Sequence, residues 1–429
     1  MTSAIDPTKP ETVNATTASV RANFGAAKTE IEELQEQAAL SIGDVIYSFN
    51  DKSAANFLPC NGQPAGKVSY AALYAIVGDN YDMSERIETS LINLPTPASS
   101  TKKPSFTADG QFMALPVALS PWVNIYQRTT TNWTKLSNPA SLPTGLGNYT
   151  DFSADTNYLA VAHNSSPWIT IYSRSGATFT KETDPAILPN ANAISCKFSA
   201  DNQYLAVGTM ASPYVKVYKN IAGTWTKLAD PATLPTGQVN GLAWSSDGAY
   251  LCCAHDTSPY VTVYSFSADT LTKLADPADL PSNSAIACSW TKDNARLLVA
   301  SIGNYRLISY TVSGPTIAAS EVYSVNLTAN PLGMDMSADG KYVLVVASST
   351  PFINLFRYER GQLTLITSGM RTPPLTPTNV AIDPLMQWII MSSASSPYNN
   401  LYKMAQFDTT EMFRTPFIKS EIPAWIKAL

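Results

Sequence analysis

Apolar and polar residues alternate in short runs along most of this chain, and one pattern of runs returns at a fixed step. Asp109, Asp155, Asp201, Asp247, Asp293 and Asp339 lie 46 residues apart, and the next step lands on Leu385. Phe106, Phe152, Phe198, Trp244, Trp290, Met336 and Ile382 form a second column at this step. Tyr126, Tyr172, Tyr218, Tyr264, Tyr310, Phe356 and Tyr402 form a third. No insertion interrupts the columns. A fixed period of this length signals a solenoid or a propeller.

Each unit reads as four short strands. In the fourth copy, apolar Gly241–Trp244 ends at Ser245-Ser246-Asp247-Gly248, a tight-turn composition with a glycine available for positive φ. Tyr250–Ala254 follows, then a break at Thr257-Ser258-Pro259. Tyr260–Phe266 alternates with a period of two, as a half-buried strand does. Thr270–Leu274 is a fourth, more polar strand. Four strands of rising polarity describe a propeller blade running from hub to rim, its inner strands apolar on both faces because both pack on neighbouring blades. Seven copies predict a mainly β fold, a seven-bladed β-propeller over residues 99–414. Consecutive copies argue that each blade is built from consecutive strands, although the tail from Phe417 to Leu429 is free to add one. Copy five departs from the pattern, with Arg296 in an aromatic column and Asn304-Tyr305 in place of Ser-Pro.

Ahead of the repeats the periodicity changes. Val20, Phe24, Ala27, Ile31, Leu34 and Ala38 are spaced by four and three, an a/d seam over a helix of about residues 17–39. About three heptads are marginal in isolation. Two readings stand: a helix packed on its own domain, or a short parallel bundle joining copies of the chain. Residues 42–98 read as a small α/β module. It has a strand at 43–49, a turn at Asn61-Gly62, and a helix capped by Ser69 that carries Tyr70, Leu73, Ile76 and Val77. Residues 1–41, 42–98, 99–414 and 415–429 are thus the expected divisions.

The module resembles a known family. Gly43-Asp44-Val45-Ile46, then Leu58-Pro59-Cys60-Asn61-Gly62-Gln63, then Tyr70, Leu73, Ile76, Gly78 and Tyr81, then Asn93-Leu94-Pro95, are similar in kind and order to the tail collar domain of bacteriophage tail-fibre proteins. The family pattern has Phe before the last motif and Asp after it, where this chain has Ile92 and Thr96. The opening Thr2–Pro7 and Ser19–Phe24 resemble fibre regions that attach to the virion. The repeats are similar to WD40-like and lactonase-like propellers. The resemblance implies a virion protein, made in the host cytoplasm, that binds other phage tail proteins through residues 1–41. It also favours the bundle reading, as a homotrimer.

Composition narrows the function classes. The chain has 429 residues, 45% hydrophobic and 14% charged, with a net charge of −5. A nucleic-acid partner would require a basic patch, and none is expected. The polar start Met1–Asp6 is not read as a signal peptide, and no apolar run has transmembrane length, so membrane insertion is not expected. The five cysteines show no metal or disulfide spacing and are read as buried free thiols. No cofactor is expected.

Candidate chemistry is sparse. The repeated Asp fits a turn before a bulge glycine. His163 and His255, the two histidines, share a column two blades apart and are read as polar residues ending strands. No phosphate-binding loop or nucleophile elbow is present, and nothing points to paired acids. Lys135, Lys181, Lys227 and Lys273 form an outer-strand column, where charge keeps exposed edges from pairing. The aromatics after the Ser-Pro break carry the functional expectation. Trp122, Trp168, Tyr214, Tyr260, Phe352 and Tyr398 share a column, with Arg306 in copy five. They either pack between blades or form a rim of stacking surfaces for sugar rings. The expectation is a non-enzymatic virion subunit whose propeller meets a host-surface glycan or protein. A glycan-degrading or esterase enzyme and a purely structural spacer are the alternatives.

Overall fold

The computed structural model describes residues 99–130, 132–303, 307–313, 316–318, 329–359, 362–366 and 376–404, with 27–28, 45–47, 57–59, 64–66, 89–92, 94, 97, 327, 373, 412–414 and 424–427 besides. The chain divides into two compact units: Met1–Ser84 with Phe407–Leu429, and Glu85–Gln406.

The larger unit contains seven four-stranded antiparallel sheets. The second strands start at Phe112, Tyr158, Tyr204, Tyr250, Arg296, Tyr342 and Trp388, which repeats the 46-residue step without a slip. Second strands are buried over almost their whole length, as in Tyr342–Ala347. Fourth strands alternate. In Thr178–Lys181, Thr224–Lys227 and Thr270–Lys273 only Phe179, Trp225 and Leu271 turn inward. This gradient makes each sheet a wedge whose apolar inner strands must be covered by other sheets.

Neighbouring blades supply the cover. Phe112, Ala114, Val123 and Ile125 of blade one pack on Phe152, Leu159, Tyr172 and Phe179 of blade two. The same relation recurs around the ring up to blades six and seven, where Leu344 and Leu355 meet Val380 and Ile389. Blade seven then packs on blade one: Ala381, Trp388, Ile390 and Leu401 meet Phe106, Met113, Tyr126 and Trp133. The fully buried tyrosine column anchors the wedges, with Tyr172 Oη donating to the Ser141 carbonyl and Tyr264 Oη to Thr233, each at 2.8 Å.

The Asp column forms turns. Ser153 Oγ donates to Asp155 Oδ1 at 2.6 Å, and the same oxygen accepts the Asn157 N–H at 3.0 Å. This arrangement recurs at Asp109, Asp201, Asp247, Asp293 and Asp339. The residue after the Asp is left-handed in six blades, through Gly110, Thr156, Asn202, Gly248, Asn294 and Gly340, and Met386 is left-handed after Leu385 in blade seven, so glycine there is conformationally favoured. The outer lysines are anchored rather than free. Lys181, Lys227 and Lys273 bond Asp184, Asp230 and Asp276 at 2.6–2.7 Å, tying the fourth strand to the loop that leaves it.

The ring closes differently from the sequence expectation. The fourth strand of blade seven is Thr89–Ile92, which pairs antiparallel with Asn399–Met404 through Leu401↔Ile92, Tyr402↔Leu91, Lys403↔Ser90 and Met404↔Thr89. One blade therefore mixes strands from the two ends of the repeat array. Thr89–Ile92 was assigned by pattern to the module at 42–98, and it belongs to the propeller instead. Leu94 follows it into the core between blades seven and one. The propeller unit is accordingly 85–406, not 99–414.

The expected tail at 415–429 also has a different place. Ala424–Lys427 lies between Val45–Tyr47 and Phe57–Pro59, antiparallel to both. Met412–Arg414 pairs with Pro64–Gly66. The C-terminal residues thus complete sheets of the smaller unit and add no strand to a blade. Ala27 and Lys28 are helical, and the rest of the expected helix lies outside the described residues, with the seam positions Val20, Phe24, Ile31, Leu34 and Ala38. So do Asn304, Tyr305 and Arg306 of copy five.

Candidate functional site

The Ser-Pro breaks are the hairpin turns between second and third strands. Six of these turns hold a cis proline, at Pro121, Pro167, Pro213, Pro259, Pro351 and Pro397. The following aromatic closes the hairpin with its own backbone. Trp168 N–H donates to the Ser165 carbonyl at 2.7 Å, and its carbonyl accepts the His163 N–H at 2.9 Å. Trp122, Trp168, Tyr214, Tyr260 and Tyr398 all have φ of 63–67°. Bulky side chains seldom adopt that region, so the surrounding bonds impose the conformation. The aromatics thus stand just before the third strand rather than within it.

All six aromatics of the column are half-buried. Trp168 rests one side on the core between blades two and three, and Tyr214 and Tyr260 rest likewise on the next two cores. Trp168, Tyr214 and Tyr260 thus pack on a core and also keep an accessible part. The turns share one face of the ring with the loops that enter each blade: Thr144 Oγ1 donates to the Ser166 carbonyl at 2.7 Å, Asn190 to Ser212 at 2.7 Å and Thr236 to Ser258 at 2.8 Å. Leu119 and Met210, in or beside these turns, are 54% and 47% exposed, so this face carries apolar surface next to the aromatics.

A second feature lies at the hub, and sequence reading missed it. The first strands of the blades line a channel of about 560 Å³. One 46-residue column faces it: Ser105, Asp151, Lys197, Ala243, Ser289, Asp335 and Ala381. Lys197 Nζ lies 2.7 Å from Asp151 Oδ1, and Asp151 Oδ2 accepts the Phe198 N–H at 2.8 Å. Asp335 repeats half of this arrangement, its Oδ2 accepting the Ile382 N–H at 2.8 Å. The position matching Lys197 is Ala381, so Asp335 Oδ1 meets only the distant Lys103 Nζ at 3.6 Å. Lys103 Nζ also donates to the Met334 and Val380 carbonyls, at 3.0 and 2.5 Å.

Electrostatics at the hub follow from burial. Burial pushes the Lys103 ammonium below its usual range, with Asp335 opposing. Burial raises the Asp151 carboxyl, opposed by Lys197. Burial also works against charge on Lys197, but the Asp151 carboxylate outweighs it and raises that pKa. Both partners of Asp151 are donors that need the anion, so the pair is ionised at neutral pH. A signal existed in the sequence. Asp and Lys recur at one column of the innermost strands, which are otherwise apolar.

His163 and His255 end the second strands of their blades. They are fully buried, and Nε2 of each bonds the third strand, His163 to Thr170 Oγ1 at 3.0 Å and His255 to Thr262 Oγ1 at 2.9 Å. Burial pushes each imidazole down to about 4. A depressed folded pKa means stability that is complete above the unfolded value of about 6.5 and lost as pH falls through the folded one. The expected loss is on the order of 3 kcal/mol per histidine once both are charged. Urea unfolding from pH 7 down to pH 4 checks this, and replacing both by Gln should flatten the acid limb. The thiols of Cys196, Cys252 and Cys253 are buried and free, Cys288 is free and half-buried, and Cys60 lies outside the described residues.

No family model matches the chain, and no curated protein matches it by sequence. Solved structures do match. A chain of the mitotic checkpoint complex superposes with a TM-score of 0.57 at 14% identity, over 74% of this chain and 95% of the other. The β-propeller domain of Cps50 (Swd1) from Myceliophteria thermophila gives 0.55 at 13%, over 73% and 99%. A chain of hydrazine synthase from Kuenenia stuttgartiensis gives 0.54 at 13%, over 73% and 97%. The fold is a seven-bladed WD40-like β-propeller. At such low identity the likeness extends to fold alone, since one propeller scaffold carries many unrelated sites.

Proposed function

We propose that this chain is a tail-fibre or tail-tip subunit of a phage virion, trimeric through its N-terminal seam, and that its propeller recognises the host surface. Residues 1–41 would join it to the tail. The reading rests on one observation above others: six Ser-Pro or Thr-Pro turns on one face each present a half-buried aromatic held by its own backbone bonds. A ring fixed on one side and open on the other suits stacking on a sugar, because little freedom remains to be lost on binding. Six weak sites on each subunit, repeated across three subunits, gain strength through avidity. A charge-led mode of binding is not favoured at a net charge of −5.

The enzymatic alternative has less support. Among the described residues no three His, Cys, Asp or Glu side chains gather as metal ligands. Of the two hub acids, Asp151 is held by Lys197 and Phe198, and Asp335 by Ile382. The spacer alternative is separated by a binding assay. Fluorescently labelled full-length protein is expected to label host cells, and Trp122→Ala with Trp168→Ala should reduce labelling about tenfold at a temperature where the variant is shown to be fully folded. Equal labelling by the variant would remove the aromatic face. A wild-type protein that labels no host cell would leave the spacer reading ahead.

A further inference from the structure

Lys102, Lys103, Lys197, Asp151 and Asp335 line the hub channel, and the four that form its two ion pairs differ sharply in access. Lys103 and Asp151 side chains are only 10% and 7% exposed, whereas Lys197 and Asp335 are 42% and 31% exposed. One cation and one anion are therefore spent on the structure, and one of each sign remains open to the channel. The donors of Lys103 are consumed by two carbonyls and Asp335. Lys197 uses one donor on Asp151, which leaves two for another acceptor. Asp335 has one oxygen satisfied by a backbone N–H, and its other oxygen has Lys103 Nζ at 3.6 Å, a longer contact than the 2.7 Å between Lys197 and Asp151.

The reason lies in the repeat. At the blade two to three step an Asp is followed 46 residues later by a Lys, and the charges cancel at 2.7 Å. At the blade six to seven step the same Asp is followed by Ala381, so the cation that meets Asp335 is Lys103, at 3.6 Å. We propose that the hub channel binds a small organic zwitterion, its ammonium on Asp335 and its carboxylate on Lys197. The volume of about 560 Å³ lies within the range of small-molecule sites. Met334, Met336, Leu242 and Ile382 line the same channel and supply apolar wall for the linker between the charges. Asp335 also favours the charged form of Lys197, so the two open groups act on one space.

Calorimetric titration of the full-length protein tests the site, with ω-amino acids graded from glycine to ε-aminocaproate and with caproate and hexylamine as half-molecules. At least one zwitterion is expected to bind saturably at millimolar or lower concentration, and neither half-molecule should match it. Asp335→Asn keeps the bond to the Ile382 N–H and should weaken that zwitterion about tenfold or more. Ala381→Lys restores the pairing seen at Asp151 and should abolish binding while the protein remains folded. Absence of saturable binding across the series would overturn the proposal. So would affinity unchanged in Asp335→Asn, or hexylamine or caproate binding as tightly as the best zwitterion.

Discussion

A fragment spanning residues 85–406 folds cooperatively, and one beginning at residue 99 is less stable by on the order of 5 kcal/mol. The longer fragment keeps Thr89–Ile92, the fourth strand of blade seven, and the shorter one leaves Asn399–Met404 as an open edge. The loss has two parts. The ladder to Asn399–Met404 disappears, and each hydrogen bond contributes about 1 kcal/mol net. Leu94, 7% exposed in the core between blades seven and one, is also removed, and losing a buried leucine side chain costs roughly 2–5 kcal/mol. Urea unfolding of the two fragments is the measurement, with Leu94→Ala in the full chain as an internal control. Equal midpoints for the two fragments would mean that strand closure adds nothing to the ring. A fragment with an exposed edge should also self-associate, which light scattering would detect.

Restoring the turn of blade seven to the repeat pattern should stabilise the protein, by a margin that grows as pH rises from about 4 to about 6 and is constant above it. Six blades place Ser or Thr at the head of the turn, at Thr107, Ser153, Ser199, Ser245, Thr291 and Ser337, and blade seven places Asp383 there. Asp383 is fully buried, its Oδ1 lacks a partner, and burial pushes its carboxyl up to about 6, with backbone N–H groups opposing. The sign follows from linkage. A carboxyl whose folded pKa is raised contributes stability that is complete below the unfolded pKa of about 3.9 and lost as pH rises through the folded one. Asp383→Ser with Leu385→Asp rebuilds the bonded turn of the other blades. The double variant should gain little at pH 3.5, about half of the full effect at pH 5 and on the order of 3 kcal/mol at pH 8. Parallel stability profiles for the two proteins would refute this account. Below about pH 6.5 the two buried histidines outweigh this single carboxyl, so the wild-type chain should still lose stability as pH falls.

Much of this molecule was legible along the chain because its repeat never slips. Columns of Asp, aromatic and Tyr residues fixed the blade count, the strand starts and the turn chemistry, since each is a local property of a few residues. The left-handed residue after each Asp was readable from Gly110, Gly248 and Gly340, and Thr156, Asn202 and Asn294 adopt it because the Asp bonds hold the turn whatever side chain follows. The pairing of Thr89–Ile92 with Asn399–Met404 was not readable. Its two partners lie some 300 residues apart, and four residues carry too little pattern to be told from the module beside them. The assignment of Ala424–Lys427 to the smaller unit failed in sequence for the same reason.

The candidate sites divide along the same line. Sequence alone determined that Trp122, Trp168, Tyr214, Tyr260, Phe352 and Tyr398 occupy equivalent turns, because equivalent spacing forces equivalent position. Only the tertiary structure decided that each ring is half-covered, since cover comes from the adjoining core and not from the turn itself. Likewise, Asp151, Lys197 and Asp335 are visible as a column, but Lys103 stands outside it and reaches Asp335 only because blade one closes beside blade seven. Ring closure brings charges 232 positions apart into one channel of low water content, and whether a charge there is balanced or left open depends on distances that no linear pattern contains.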